Sequence, residues 1–179
     1  MSTTGSLVSE LERLASAISS EDAESSQVPL PSVAEKIART LGVRLEEVAI
    51  LALSKRWKHL YFLVPEALKK VGFVPLSSNS ALAAKTARDS RPEIDNNFIA
   101  ARHATVFEGV KITSETVESI QKIVSAPILA DGKVVGVIQI SRKGADPTSA
   151  GPDFTADDLG KILALCKPLG KLVQRAARE

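Results

Sequence analysis

The chain has 179 residues, 44% of them apolar, with 23 Lys and Arg against 21 Asp and Glu, and one cysteine. A single Cys166 excludes an internal disulfide framework and any multi-cysteine zinc site. The longest unbroken apolar run, Val48–Leu53, is far shorter than the ~20 residues of a membrane span, and no signal-peptide pattern opens the chain. We therefore expect a soluble, cytoplasmic protein without a membrane partner. The net charge of +2 is too small to predict a nucleic-acid partner.

The first 31 residues predict an appended arm, and residues 32–179 a single domain. Leu7, Leu11, Leu14 and Ile18 recur at helical spacing, whereas Ser19–Pro31 is Ser-rich, ends in prolines and is typical of a linker. An isolated helix of this length is marginal in water, so it must pack on the domain or on a second chain. The arm is acidic and the last helix is basic. This charge pattern is compatible with contact between the two termini, or with two charged helix faces that are each simply solvated.

The domain begins with a predicted helix from Ser32 to a stop at Gly42. Two short apolar runs, Val48–Leu53 and Leu60–Val64, predict buried strands. The turn between them, Ser54–His59, is basic and holds the only tryptophan. That composition is compatible with a nucleic-acid contact, but a hairpin loop with an anchored Trp is the commoner structure and the preferred interpretation.

Helix and loop signals alternate through the middle of the chain. Asn79 or Ser80 can cap a helix that runs to Asp89 and turns Thr86 inward, and Pro92 ends it. Residues 92–118 show the weakest periodicity, yet they are dense in polar and aromatic side chains. This segment is therefore a candidate for a binding function rather than for packing.

A β-hairpin is the clearest local prediction. Two β-type runs, 120–130 and 133–141, flank Asp131-Gly132, which predicts a type I′ turn. Strand alternation places Val135, Val137 and Gln139 on one face. Gly136 leaves room for another backbone or a ligand. After a loop at 146–152, Thr155 caps a final helix whose apolar residues, Leu159 to Ala176, follow a heptad-like seam.

Two segments resemble the GAF domain, a small sensory module related to PAS domains. The stretch Ser125–Ile140, SAPILADGKVVGVIQI, is similar to the family's tight-turn hairpin, and Phe154–Leu159, FTADDL, is similar to its final helix. A weaker match is AKTARDSRPEIDN at residues 84–96. The resemblance covers about residues 32–178 and implies an α/β fold of the α+β type. It further implies a central antiparallel sheet, flanking helices, a ligand cavity, and terminal helices that pack together and usually form a dimer.

The family's cysteine-dependent chemistry does not suit this chain. Methionine sulfoxide reduction needs several cysteines and a bilin needs a cysteine in another element, whereas Cys166 lies on a predicted core face. Asn96-Asn97-Phe98 lacks the lysine and acidic partner of the cyclic-nucleotide motif. His103 could ligate haem, but a lone histidine is more often structural. No catalytic residue or metal site is predicted, and the sequence leaves the cofactor unknown.

The sequence therefore predicts a non-catalytic, stand-alone sensor of a small molecule that signals through its terminal helices. The expected partners are a second copy of the chain, an unidentified small molecule and a separate effector protein. The alternative is an interaction or dimerisation module without a ligand. The candidate ligand-binding residues are Asn97, Phe98, Arg102, His103, Phe107, Glu108, Gln139 and Arg142.

Overall fold

The centre of the molecule is a six-stranded antiparallel sheet, which confirms the predicted fold class. The computed structural model describes residues 3–20, 29–69, 73–98 and 119–177. The strands are β1 (Val48–Ser54), β2 (His59–Val64), β3 (Phe73–Pro75), β4 (Glu93–Asp95), β5 (Ser119–Ala130) and β6 (Lys133–Gly144). Their order across the sheet is β3-β2-β1-β6-β5-β4. Strands β1 and β6 are therefore the central pair, and β5 lies between β6 and the edge strand β4.

The predicted hairpin forms as the Asp-Gly signal requires. Asp131 and Gly132 have φ of 52° and 76°, the left-handed values of a type I′ turn. Pro127 has no amide proton, and it lies beyond the end of β4, which pairs only with Ile123–Ser125. No residue of β4 lies opposite Pro127, so its missing amide proton costs no hydrogen bond to that strand.

Helices cover both faces of the sheet. They are α1 (Thr3–Ser20), α2 (Leu30–Leu41), α3 (Leu82–Asp89), the short α4 (Pro147–Ala150) and α5 (Ala156–Ala176). Helices α1, α2 and α5 share one apolar core with the sheet, while α3 shares a second core with the opposite face. Helix α2 starts two residues before the predicted Ser32, and α4 forms where a loop was predicted.

Local signals explain where these helices begin and end. Gly42 ends α2 with φ of 70°, a left-handed conformation that glycine adopts without strain. Thr155 caps α5: its hydroxyl accepts from the Asp158 amide at 3.2 Å, and the Asp158 carboxylate accepts from the Thr155 amide at 2.9 Å. The predicted start of the last helix is therefore confirmed at the level of individual hydrogen bonds.

Helix α1 packs within its own chain. Leu7, Leu11 and Ala15 are buried in the core shared with α5, and an ion pair joins Glu10 to Lys36 on α2. The terminal helices thus lie together, as the resemblance implied. The heptad-like seam of α5 faces this core, since Ile162, Cys166 and Leu169 are buried.

A β-bulge changes one predicted strand face. Ile128 pairs with Gly136 but Leu129 pairs with Val134, so Val135 is an extra residue in β6. Val135 consequently packs with α5, whereas Val137 faces α3. The prediction that Val135 shares a face with Val137 was therefore wrong. Gly136 makes room for backbone: an added Cβ would lie 2.3 Å from the carbonyl oxygen of Leu51.

Candidate functional site: a buried polar relay under helix α3

Three polar side chains are buried between α3 and the centre of the sheet. Thr86 lies on the inward side of α3, and Ser125 and Gln139 face each other across β5 and β6. Their exposed fractions are 2%, 0% and 0%. Apolar side chains such as Ile123 and Val137 surround the group. Because polar groups are costly to bury, three of them in an apolar core call for a specific reason.

Hydrogen bonds join the three side chains into one directed relay. The Gln139 Nε2 donates to Ser125 Oγ at 3.2 Å, and the Ser125 and Thr86 hydroxyls lie 2.7 Å apart. The Thr86 hydroxyl donates to the carbonyl oxygen of Leu82 at 2.9 Å, one turn back in α3. Since the Thr86 proton is already used, Ser125 must donate to Thr86 and accept from Gln139. This order assigns the amide nitrogen of Gln139 to the Ser125 side.

The relay leaves one acceptor without a donor. The Oε1 of Gln139 is fully buried and has no hydrogen-bond partner within the described ranges. On the side away from Ser125 its cross-strand neighbour on β1 is Ala49, which offers only a methyl group. An unsatisfied buried acceptor costs about 1–3 kcal/mol. A molecule that brought an N–H or O–H group to this oxygen would remove that cost.

A cleft of about 240 Å³ adjoins the outer end of the relay. Thr86 lines it together with Lys85, Asp89 and Pro92 on the α3 side and Glu93 on β4. Lys85 Nζ lies 3.4 Å from the carboxylate of Glu93 and bridges the two walls. Both charges are largely exposed, so the pair contributes little to stability.

The structure places the predicted site residues in three groups. Phe98 is buried in the core under α3, the face that also carries Gln139. Asn97 is exposed, and its backbone amide donates to the Asp95 carboxylate at 2.9 Å. Four further candidates lie outside the described residues: Arg102, His103, Phe107 and Glu108.

Arg142 does not share the face of Gln139. Its guanidinium lies 4.9 Å from the centre of the Phe154 ring and donates to the Gly42 carbonyl at 3.3 Å, in the layer of α2 and α5. Arg142 lies three positions after Gln139 on β6, and an odd spacing puts side chains on opposite faces of a strand.

Sequence reasoning missed the role of Thr86 and Ser125. The sequence predicts that Thr86 turns inward, and Ser125 opens the hairpin motif. Nothing in the sequence shows that the two hydroxyls meet.

Asn96 is structural: its side-chain amide donates to the Phe154 carbonyl at 3.0 Å and accepts from the Phe154 amide at 2.8 Å. This reciprocal pair fastens β4 to the start of α5.

Cys166 is buried on the core side of α5, as predicted. Burial disfavours the thiolate and raises the pKa of this thiol to about 12. At neutral pH the group is therefore a thiol enclosed in the core, in contrast to the exposed, low-pKa cysteines that react as nucleophiles.

The described ranges contain neither a candidate metal centre nor a membrane-spanning helix. No cluster of three His, Cys, Asp or Glu side chains suited to a metal ion occurs among those residues. Within the same ranges, no helix combines the length and apolar character needed to cross a bilayer.

Solved structures with the same architecture are GAF domains and related proteins. The GAF domain of the Acinetobacter phosphoenolpyruvate-protein phosphotransferase has a TM-score of 0.63 and 19% identity, over 97% of this chain and 92% of that one. The corresponding domain from Coxiella burnetii has a TM-score of 0.58 and 11% identity, over 94% of both. Free methionine-R-sulfoxide reductase from Neisseria meningitidis has a TM-score of 0.60 and 16% identity, over 97% and 89%.

Neither a family model nor a curated protein sequence matches the chain. The structural likeness shows that the chain has the GAF-domain fold, which confirms the resemblance seen in its hairpin and final helix.

Proposed function

We propose that this protein is a non-catalytic sensory or regulatory GAF-type module that binds a small neutral molecule under helix α3. The unsatisfied Oε1 of Gln139 is the observation that carries the proposal. A buried acceptor held in place by two further polar residues can accept from an N–H or O–H group of a ligand that opens space beside it, and the 240 Å³ cleft reaches the other end of the relay, at Thr86. The surrounding side chains, including Ala49, Ile123 and Val137, are uncharged, which favours a neutral ligand over an ion.

The signal would pass through the sheet to the terminal helices. Gln139 and Ser125 lie on β6 and β5, and the opposite face of these strands packs on α5. Contact is close: a Cβ added to Gly136 would lie 3.1 Å from Val173, and one added to Gly170 would lie 2.0 Å from the Leu129 carbonyl oxygen. A shift of the strands on ligand binding would therefore move α5, and with it α1.

The absence of catalysis in this proposal rests on Cys166. It is the only cysteine in the sequence, it is buried, and its pKa of about 12 keeps it protonated. The chain has the same fold as the methionine-R-sulfoxide reductase. A thiol-dependent reaction would, however, need an accessible thiolate and a second thiol to complete a disulfide.

The proposed homodimer must use the outer sides of α1 and α5, because the seam of α5 is already buried against its own chain. Leu163 is 40% exposed on α5 and supports this location. The Leu163→Glu variant should then shift sedimentation from dimer to monomer. A separate effector protein would read the state of these helices.

The test replaces Gln139 by leucine, which has a similar volume and no acceptor. Gln139→Leu removes the unsatisfied acceptor but also the hydrogen bond from Nε2 to Ser125 Oγ, so the free energy of unfolding of the unliganded variant should stay within about 1 kcal/mol of that of the natural chain. Neutral N–H donors, namely uracil, adenine and nicotinamide, serve as probes in thermal unfolding. At least one should raise the Tm of the natural chain, and none should raise that of the variant.

Ser141→Ala is the matched control. Ser141 is buried two residues along the same strand, but its hydroxyl already donates to the Glu47 carbonyl at 3.3 Å. This variant should keep the response to the probe. An undiminished probe response in Gln139→Leu would show that Oε1 is not a ligand acceptor.

A further inference from the structure

The turn between β1 and β2 presents the only tryptophan to solvent. Trp57 is 63% exposed, and the Arg56 guanidinium lies 4.9 Å from the centre of its ring. The backbone of the turn is held, because the Trp57 amide donates to the Ser54 hydroxyl at 3.1 Å. The indole itself is not held by the core. The expectation of an anchored Trp was therefore wrong.

The same turn carries three cations without acidic neighbours. Lys55, Arg56 and Lys58 are all exposed, and none of them forms an ion pair within the described part of the chain. Several other described cations, among them Lys36, Lys85 and Lys122, do have a carboxylate partner. The turn is thus a local concentration of uncompensated positive charge on a nearly neutral protein.

A second aromatic surface continues from the turn along the edge of the sheet. The His59 ring stacks on the Phe73 ring with centroids 4.4 Å apart, and Phe73 is 58% exposed. The Leu76 amide donates to the Lys58 carbonyl at 3.0 Å and fastens this edge to the turn. We call the combined surface the basic–aromatic patch; it comprises Lys55, Arg56, Trp57, Lys58, His59 and Phe73.

We propose that the basic–aromatic patch docks an acidic segment of a separate partner protein. Exposed Trp and Arg side chains are among the residue types that dominate protein-binding energies, and three exposed cations in one turn favour a partner with negative charge. A nucleic acid fits less well. Three cations in one turn would neutralise only about three phosphates, and the net charge of +2 adds little further attraction. The patch is independent of the relay under α3, so this proposal stands apart from the proposed ligand.

The experiment measures binding of a defined probe to the full chain by fluorescence anisotropy. The probe is a fluorescein-labelled peptide of Glu and Phe, and its counterpart carries Gln in place of Glu. The acidic peptide should bind at least about tenfold more tightly than the neutral one, and Trp57→Ala or Arg56→Glu should each weaken it at least about tenfold. Both positions are exposed, so the variants should keep the unfolding temperature of the natural chain.

Lys133→Glu is the matched charge reversal. Lys133 is exposed at the tip of the other hairpin and, within the described residues, has no ion pair. It should change the affinity less than about twofold. Equal losses in Lys133→Glu and Arg56→Glu would reveal unspecific attraction and overturn the proposal. Absence of peptide binding at millimolar concentration would do the same.

Two further outcomes would replace the proposed partner by another occupant. Tighter binding of a short oligothymidylate than of the acidic peptide would identify the patch as a nucleic-acid contact. The chain also has its own acidic segment, with Glu21, Asp22 and Glu24. If the neutral variant Glu21→Gln/Asp22→Asn/Glu24→Gln bound the peptide more tightly, this segment would be the occupant. Unchanged affinity in that variant supports a separate partner.

Discussion

Two glycines in α5 offer a matched test of how the last helix is attached to the sheet. Gly170 is buried, and a Cβ built there would lie 2.0 Å from the Leu129 carbonyl oxygen and 3.0 Å from its carbon. Gly160 lies in the same helix, but a Cβ there would have nothing within 4 Å. The same substitution, Gly to Ala, should therefore have opposite effects at the two positions.

The magnitudes follow from the geometry. Alanine is favoured over glycine inside a helix by about 1 kcal/mol, so Gly160→Ala should raise the free energy of unfolding by up to that amount. At Gly170 the obstacle is backbone rather than a flexible side chain, and the helix has to move by about 1 Å in a close-packed layer. Overpacking of this kind costs about 1–3 kcal/mol, occasionally more. After the helix gain is subtracted, Gly170→Ala should lower the free energy of unfolding by up to about 2 kcal/mol.

Urea unfolding followed by circular dichroism measures both variants. The midpoint concentration should rise for Gly160→Ala and fall for Gly170→Ala, with the same m-value in each case. In thermal unfolding, each kcal/mol corresponds to about 2–4 °C for a chain of this size. If Gly170→Ala proved as stable as Gly160→Ala, α5 would not lie against Leu129. The proposed signal from the relay to the terminal helices would then lack the contact between β5 and α5 on which it depends.

Two other predictions concern buried groups. Glu47 is 4% exposed, and its carboxylate accepts from the backbone amides of Arg44 at 2.8 Å and Lys143 at 2.6 Å. Glu47→Ala should lower the free energy of unfolding in urea by about 3 kcal/mol. The control Glu35→Ala, which removes an exposed ion pair, should cost less than about 0.5 kcal/mol. Similar losses in the two variants would contradict the role given to Glu47. Cys166 should resist a thiol reagent at pH 8 until the chain unfolds, and rapid labelling of the folded protein would contradict its burial. Because its pKa is raised from 9.0 to about 12 on folding, the unfolded thiol ionises first, and stability should fall as the pH rises from 9 towards 12.

Much of the fold could be predicted because its signals lie within a few residues of one another. The type I′ turn depends on Asp131 and Gly132 alone, the end of α2 on Gly42, and the start of α5 on Thr155 and Asp158. Each of these residues acts on its own backbone or on a neighbour within three positions. The unbroken apolar runs of β1 and β2 likewise predicted strands that are buried on both faces of the sheet.

The site depended on contacts that no local pattern contains. Thr86 and Ser125 are separated by 39 positions, and their hydroxyls meet only because β5 and α3 pack on each other. The Val135 bulge likewise reflects the pairing of β6 with β5, which sets the register over the whole ladder. Gln139 was selected from the sequence as a polar residue on a strand face, but its free oxygen became visible only with its neighbours in place.

The sequence by itself determined the long strands, the main helices, the hairpin turn and the GAF resemblance, since each rests on backbone conformation or on short-range periodicity. Only the tertiary structure decided that α1 packs within its own chain, that Arg142 and Gln139 face opposite layers, and that Trp57 stays in solvent. These outcomes depend on which surfaces compete for burial across the whole molecule, and residues far apart in sequence decide that competition.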